Sequence, residues 1–506
     1  MYSVVIEGGL YFLLALMPFA FGGVENWAIG IMQIVAGIMA AAWITHMRPD
    51  RPGSQVRRRG VRVRQLRPIW LPAALFGGLA LLQLLPMPPS ILRLVSPGTH
   101  SLYARSFPDY QEGRSSDTAR LQGWLVETMA ASLPPAAATA GTLPEAPVAS
   151  SGFPTGIPAW RPATLYSAAT WHSLGLLTTY LMVFMVVAGY FHTRPRYTRL
   201  LWALAFVAFA LSVQGILQKL NWNGKLLWIR GGEFSQKGVF GPFVNRNSYA
   251  AFAATIFPIG ITMGLGALQR LREGVGEALA RLILWGMAAG AIGAGVAYSL
   301  SRGGILTAGL SLLLVAVMVI YFGRQRLELA VIGAMAAAAV IFLVAIGPEQ
   351  VVERLETLEE GAGVHTFGLR LGAWERCLSL IADYPLLGTG LGTYRFAFMR
   401  YAPPGESWWT TAHNEYLEVA CDTGLAGFAL LILGVMGFLY MVARPGLFRE
   451  TSDRYAFMGI VAGLTGLVVH SFVSSNFQVP AIGLLLVVLS GALVALVARQ
   501  SGRPAR

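Results

Sequence analysis

The feature that most constrains this chain is a recurring apolar run of about 20 residues, the length a helix needs to cross a hydrocarbon core about 30 Å thick. Such runs begin near Val4, Trp27, Ile69, Trp171, Leu200, Ser248, Leu282, Gly303, Leu329, Gly424, Tyr455 and Ala481. They predict an all-α polytopic membrane protein with about twelve transmembrane helices, since in lipid every backbone polar group must be satisfied within its own segment. The stretch from Leu282 to Phe322 is too long for one span. It is expected to break at the SRGG of 301–304, where a charge meets two glycines. The first run has no clear small-residue cleavage site before Gly22 and Gly23, so it reads as a retained helix rather than a signal peptide.

Only 12% of the residues are charged and 55% are hydrophobic, which excludes a water-soluble enzyme or a disordered chain. The formal net charge of +13 resembles a nucleic-acid signal until the charges are placed. The segments 47–68, 191–199, 268–281, 324–328, 444–454 and 499–506 hold 22 of the 38 basic residues but only 6 of the 25 acidic ones. Every second connection is therefore basic, which is the pattern of cytoplasmic loops. Both termini are expected on the cytoplasmic side of the membrane, and no nucleic-acid partner is implied. The run RRRGVRVR at 57–64 reads as a topology determinant, with contact to anionic membrane lipid as the alternative. Trp27, Trp43, Trp70, Trp171 and Trp202 fall at span ends, where amphipathic rings are favourable. Cys377 and Cys421 suit either one disulfide in an oxidising compartment or two buried, inert thiols.

Five regions follow from this plan: N-terminal spans at 1–86, an insertion at 87–168, central spans at 169–347, a long loop at 348–422 and C-terminal spans at 423–506. The second half of the insertion is rich in Ala, Pro and Gly and has no helical period, so it reads as extended or mobile. The 348–422 loop is different. Leu371, Trp374, Leu378 and Ile381 repeat at helical spacing and predict a short amphipathic helix over 367–383, ended by Tyr384–Pro385. A second helix is expected to begin near Thr411 and to include His413, Tyr416 and Leu417. A long, patterned loop in such a protein is where function is expected to lie.

The motifs narrow the chemistry. GTGLGT at 388–393 lacks the dinucleotide spacing and reads as a turn that needs small residues. HNEYLE at 413–418 is not a zinc motif, and the next His of the loop, His365, is 48 residues away, so no metal is expected. His413 suits acid–base work near neutral pH, with helix capping or packing as the structural alternative. Arg302 sits at a span end, where it faces either a cavity or the headgroups. Arg246 lies between Asn245 and Asn247 at another helix start, suited to an anionic oxygen cluster or to plain capping. Arg370 is one turn from Trp374 and suits a phosphate or a loop carboxylate such as Glu375. Glu353, Glu356, Glu359 and Glu360 read as a solvated face. Three arginines and a histidine on one side of the membrane can serve a lipid-linked diphosphate and a hydroxyl nucleophile, because fixed cations stabilise the charge of a departing diphosphate.

The ordered strings GPFVNRN, YSLSRGG, GLRLGAWERCLSLIADYPLLGTGLGTY and TAHNEYLEVACDTGLAGF resemble the O-antigen ligase and polymerase superfamily. A late span beginning HSFVSSNFQVP at 470–480 is similar too, and the resemblance covers roughly residues 200–490. It implies a membrane glycosyltransferase (GT-C-like) helical bundle with a structured periplasmic loop. It implies transfer of a glycan from undecaprenyl diphosphate to an acceptor hydroxyl, on lipid A–core for a ligase or on another lipid-linked glycan for a polymerase. No cofactor or nucleotide sugar is implied and, for ligases, no metal. The resemblance gives His413 the role of activating the acceptor, and gives Arg302 and Arg370 that of holding the diphosphate. At GPFVNRN it rests on Asn245 and Asn247, with Arg246 between them. Asn414 completes the HN box, and Trp374, Trp408 and Trp409 are rings that can stack on sugars or pack the loop. A transporter or flippase for lipid-linked sugars is the rival from another class. It should line a path with charges deep in several spans, whereas here titratable groups gather at the outer face.

Overall fold

The computed structural model describes residues 2–47, 66–107, 110, 160–232, 234, 236, 238–274, 276–323, 326–345, 362–403, 410–443 and 451–501. The basic run at 57–64, the Ala/Pro/Gly-rich half of the insertion, the acidic run at 353–360, Trp408 and Trp409 lie outside them.

The chain is an all-α polytopic membrane protein. Its long helices are α1 (Tyr2–Phe19), α2 (Asn26–His46) and α3 (Arg67–Leu84). A two-residue strand β1 (Pro86–Met87), short helices α4 (Pro89–Val95) and α5 (Pro97–Ser106), and strand β2 (Arg161–Pro162) lead to α6 (Ser167–Tyr190) and α7 (Arg194–Leu220). The central helices are α8 (Arg246–Arg272), α9 (Ala278–Tyr298), α10 (Arg302–Gly323) and α11 (Arg326–Ala345). Helices α12 (Ala362–Asp383) and α13 (Tyr394–Ala397) belong to the loop, and α14 (Glu415–Val442), α15 (Thr451–His470) and α16 (Pro480–Ser501) complete the bundle. Twelve of these match the twelve apolar runs, and ten are long and apolar enough among the described residues to cross a membrane. The break expected at SRGG is present: α9 ends at Tyr298, Leu300 takes φ 53°, and α10 starts at Arg302.

Helix α8 is the hub. It packs against α7, α9, α10 and α15, and its apolar face runs all the way round. Small residues permit this. A methyl group on Gly463 of α15 would lie 2.1 Å from the Thr255 carbonyl oxygen of α8, and one on Gly304 of α10 would lie 2.4 Å from Ala250 Cβ. Outward-facing side chains are apolar instead of charged: Ile34, Phe206, Leu306 and Tyr440 are all more than half exposed. A surface of that kind has lipid as its solvent.

Ion pairs close one end of the bundle. Glu7 of α1 accepts from Arg199 of α7 at 2.8 Å, and Asp453 of α15 accepts from Arg499 of α16 at 2.9 Å. The opposite end carries the loops. There Arg230 meets Glu25 at 2.6 Å, Ser301 meets Asn247 at 2.8 Å, and the Glu415 N–H donates to the Ser471 carbonyl at 3.0 Å.

On that end the loop forms its own layer. β1 pairs antiparallel with β2, Pro86 opposite Pro162, which brings the two ends of the insertion together. The layer is latched to the bundle by GTGLGT, which is a turn of small residues as expected. Thr389 and Gly390 donate to the carbonyls of Cys421 and Asp422 at 3.0 and 2.9 Å, and Gly392 donates to the Asp422 carboxylate at 2.7 Å. Buried Gln83 of α3 spans the joint. Its Nε2 donates to the carbonyls of Leu387 (2.6 Å) and Asp422 (2.9 Å), and its Oε1 accepts from the Leu391 N–H (3.0 Å). Gln83→Ala would remove the partner of the Leu387 carbonyl and of the Leu391 N–H, while the Asp422 carbonyl keeps the Gly390 N–H. It is expected to cost roughly 2 kcal/mol, at about 1 kcal/mol per group, seen as a lower thermal midpoint of the detergent-solubilised protein. An unchanged midpoint would show that this joint is not part of the cooperative fold.

Three expectations are corrected. The loop helix runs over 362–383, longer than the 367–383 expected, and buries a different stripe. Ala373, Cys377 and Leu380 are fully buried, while Leu371 and Leu378 are 42% and 59% exposed. Both stripes have helical period, but the smaller one lets α12 approach Cys421 of α14 closely, with Cys421 Sγ 3.7 Å from the Cys377 carbonyl. The second helix starts at Glu415, not near Thr411, because Asn414 caps it. Two helical stretches of α14 meet at a kink at Gly424, beside the division drawn at 422/423. HSFVSSNFQV is not the start of a span. α15 ends at His470, and the polar residues that follow form the turn into α16. Both cysteines are buried free thiols.

Candidate active site

The loop end gathers the candidate residues into two groups. In the first, Asn414 caps α14 by accepting from the N–H groups of Tyr416 (3.1 Å) and Leu417 (3.2 Å). His413, immediately before it, takes φ 48°, a conformation uncommon for a side chain of its size. The surroundings hold it there. Trp374 Nε1 donates to the Ala412 carbonyl at 3.0 Å, and the Ala412 N–H donates to the buried Glu418 carboxylate at 3.2 Å. Trp374 is half-buried and its N–H is used structurally. One turn before it on α12, Arg370 Nη1 donates to the Val473 carbonyl at 3.1 Å.

Arg370 and His413 feel one another. Burial first, and then the Arg370 charge, pull the His413 imidazole down to about 4, so it is neutral at pH 7. Burial also lowers the Arg370 guanidinium from its ordinary value, a penalty that a bound anion would offset.

The second group surrounds the SRGG turn. Arg302 is the first residue of α10 and is exposed. Asn245 caps α8 by accepting from the Asn247 N–H at 2.8 Å, which is the capping expected of it. Asn247 Oδ1 accepts from Ser301 Oγ at 2.8 Å and ties the start of α8 to the start of α10. Arg246, half-buried, donates its N–H to the Gly238 carbonyl at 2.9 Å.

The 470–479 turn joins the groups. His470 Nε2 faces Gly303, Ser471 accepts from Glu415, and Val473 accepts from Arg370. His470, Asn476 and the buried carboxylates Glu415 and Glu418 carry no role in the sequence reading. Their signal was a run of polar residues between two apolar spans, but which residues it would meet depends on helix packing. Glu415 accepts from the Phe477 N–H at 3.3 Å and Glu418 from Ser475 Oγ at 3.4 Å, so both acids brace the turn. Among the described residues no cluster of three or more His, Cys, Asp or Glu side chains is placed to hold a metal ion.

Such a site can bind an anion between arginines and offer a neutral imidazole to a hydroxyl beside it. Comparison with curated proteins gives no match. Against family models, residues 287–432 match the O-antigen ligase family (Wzy_C). The match takes in Arg302, Arg370, Trp374, His413 and Asn414, and leaves out the α8 start and the 470–479 turn. Residues 287–432 thus carry an O-antigen ligase domain within a bundle of long apolar helices, which supports membership of the O-antigen ligase and polymerase superfamily.

Proposed function

We propose that the protein transfers a glycan from undecaprenyl diphosphate to an acceptor hydroxyl at the periplasmic face of a bacterial inner membrane, with both termini cytoplasmic. The observation that carries this reading is the pairing of a neutral, half-buried His413 with Arg370, joined to the Arg302 turn through one shared segment. Arg302 and Arg370, with Arg246 at the rim, hold the diphosphate, and Asn245, Asn247 and Asn414 hold the helix starts that carry the site. His413 accepts the acceptor's proton as its oxygen attacks the anomeric carbon. The sugar–oxygen bond to diphosphate breaks, the electron pair leaves with the phosphate, and the arginines receive the charge. Attack opposite the leaving group inverts that centre. No metal or cofactor is required by this scheme.

The donor end is specific to Arg370 because a planar guanidinium can grip two phosphate oxygens at once, whereas lysine presents a point charge. Arg370→Lys is expected to lower kcat/KM for the lipid-linked donor about tenfold or more, on the order of 1.4 kcal/mol. Full activity in that variant would remove the bidentate contact.

The decisive experiment compares lipid-linked glycans in the native host for the wild type, a deletion and His413→Ala at equal protein level. Long chains retained on undecaprenyl diphosphate in both mutants support the ligase reading with lipid A–core or a similar acceptor. Single repeats accumulating on the outer leaflet support the polymerase instead. Repeats trapped on the inner leaflet support a flippase, and no accumulation overturns glycan transfer.

A further inference from the structure

His470 closes α15 and is only 3% exposed. Asn476, fully buried, donates through Nδ2 to His470 Nδ1 at 3.1 Å and to Ser471 Oγ at 2.9 Å. In this orientation of the amide, which leaves Asn476 Oδ1 buried without a hydrogen bond, Nδ1 accepts and the ring proton is assigned to Nε2. That edge of the ring faces the first turn of α10: a methyl group on Gly303 would lie 2.7 Å from Nε2. Position 303 therefore has room for a hydrogen and no more while the ring stays in place. Gly303 directly follows Arg302. From the same turn, Ser471 receives the Glu415 N–H and Val473 receives Arg370.

Resting on the reading above, we propose that His470, locked by Asn476, is a positioning residue for the transfer reaction. Its ring sets the spacing between the Arg302 turn and the Arg370–His413 group, so that both arginines address one diphosphate. Its ring meets Gly303 on one side, and the backbone that follows it, at Ser471 and Val473, meets Glu415 and Arg370 on the other. A misplacement of an ångström between such groups costs about tenfold to a hundredfold in rate.

The test uses the purified full-length protein with an undecaprenyl-diphosphate-linked glycan and its acceptor. Gly303→Ala pushes on the ring, and His470→Asn keeps an acceptor for Asn476 but withdraws the far edge. Each is expected to raise the donor KM about tenfold while the acceptor KM holds. The double variant is expected to work better than Gly303→Ala alone, because the shorter side chain makes room for the methyl. Asn476→Asp is nearly isosteric and keeps the proposal testable where the others fold poorly. It moves the ring proton to Nδ1 and is expected to raise the donor KM while the acceptor KM holds. Donor and acceptor KM moving together, or additive single and double variants, would overturn the positioning role. Unchanged transfer in all variants would do so too, while leaving the transferase reading intact. A wild type that moves no glycan from the diphosphate would overturn that reading itself.

Discussion

His413→Ala is expected to lower glycan transfer by roughly a hundredfold to ten-thousandfold, the range for loss of a positioned general base, with the amount of folded protein unchanged. The backbone on either side of it is held by other groups: Asn414 caps α14, and Trp374 and Glu418 hold the Ala412 backbone. The pH dependence follows from the same geometry. A base works in its neutral form, and burial and Arg370 hold the imidazole down to about 4 in the resting site. Activity measured as kcat/KM should therefore persist well below neutrality and fall only as the pH passes through about 4. Arg370→Gln removes the positive neighbour, so the acidic limb should move upward while the plateau drops. A diphosphate bound against Arg370 acts in the same direction, so the limb in kcat should lie above the limb in kcat/KM. The donor would thereby make His413 a stronger base at the moment it is needed. An acidic limb at the same pH in wild type and Arg370→Gln would separate the two residues and end this account.

Gly424→Ala should have the largest effect on folding. Gly424 takes φ 63° and ψ −170°, a region essentially reserved for glycine, inside an otherwise helical segment. A methyl group there would lie 2.4 Å from the Leu386 carbonyl oxygen. Its counterpart Gly388, at φ 69°, would bring a methyl within 2.5 Å of the Gly424 N–H nitrogen. Backbone meets backbone at this joint, so no side chain can move aside. A cost above about 4 kcal/mol is expected, the range that signals loss of a core feature. Little monodisperse protein should be recovered after detergent extraction, and what is recovered should melt early. Wild-type yield and midpoint in Gly424→Ala would show that the loop layer docks on the bundle by some other contact.

The spans were legible because a lipid-crossing helix needs a long apolar run, a constraint visible in one dimension. The break at SRGG was legible for the related reason that a charge and two glycines interrupt such a run. Less of the loop could be read. The stripe Leu371, Trp374, Leu378 and Ile381 is the more hydrophobic one, yet α12 buries Ala373, Cys377 and Leu380, because the partner helix comes too close for larger side chains. The capping residue of α14 is Asn414, which left His413 outside the helix in a left-handed conformation that residue type does not announce.

The site divides along the same line. Arg302, Arg370 and His413 stand out in the sequence as polar residues at one side of an apolar protein. Gln83, Glu415, Glu418 and His470 do not. Gln83 is bonded to residues some 300 positions away, and His470 matters through Gly303, which precedes it by more than 160. The sequence by itself determined the long apolar helices and the polar residues available between them, because hydrophobic run length and residue type are local properties. Only the tertiary structure decided which groups share a site. Helices α3, α10, α12, α14 and α15 meet at one end of the bundle, and their contacts there depend on close packing between segments far apart in the chain.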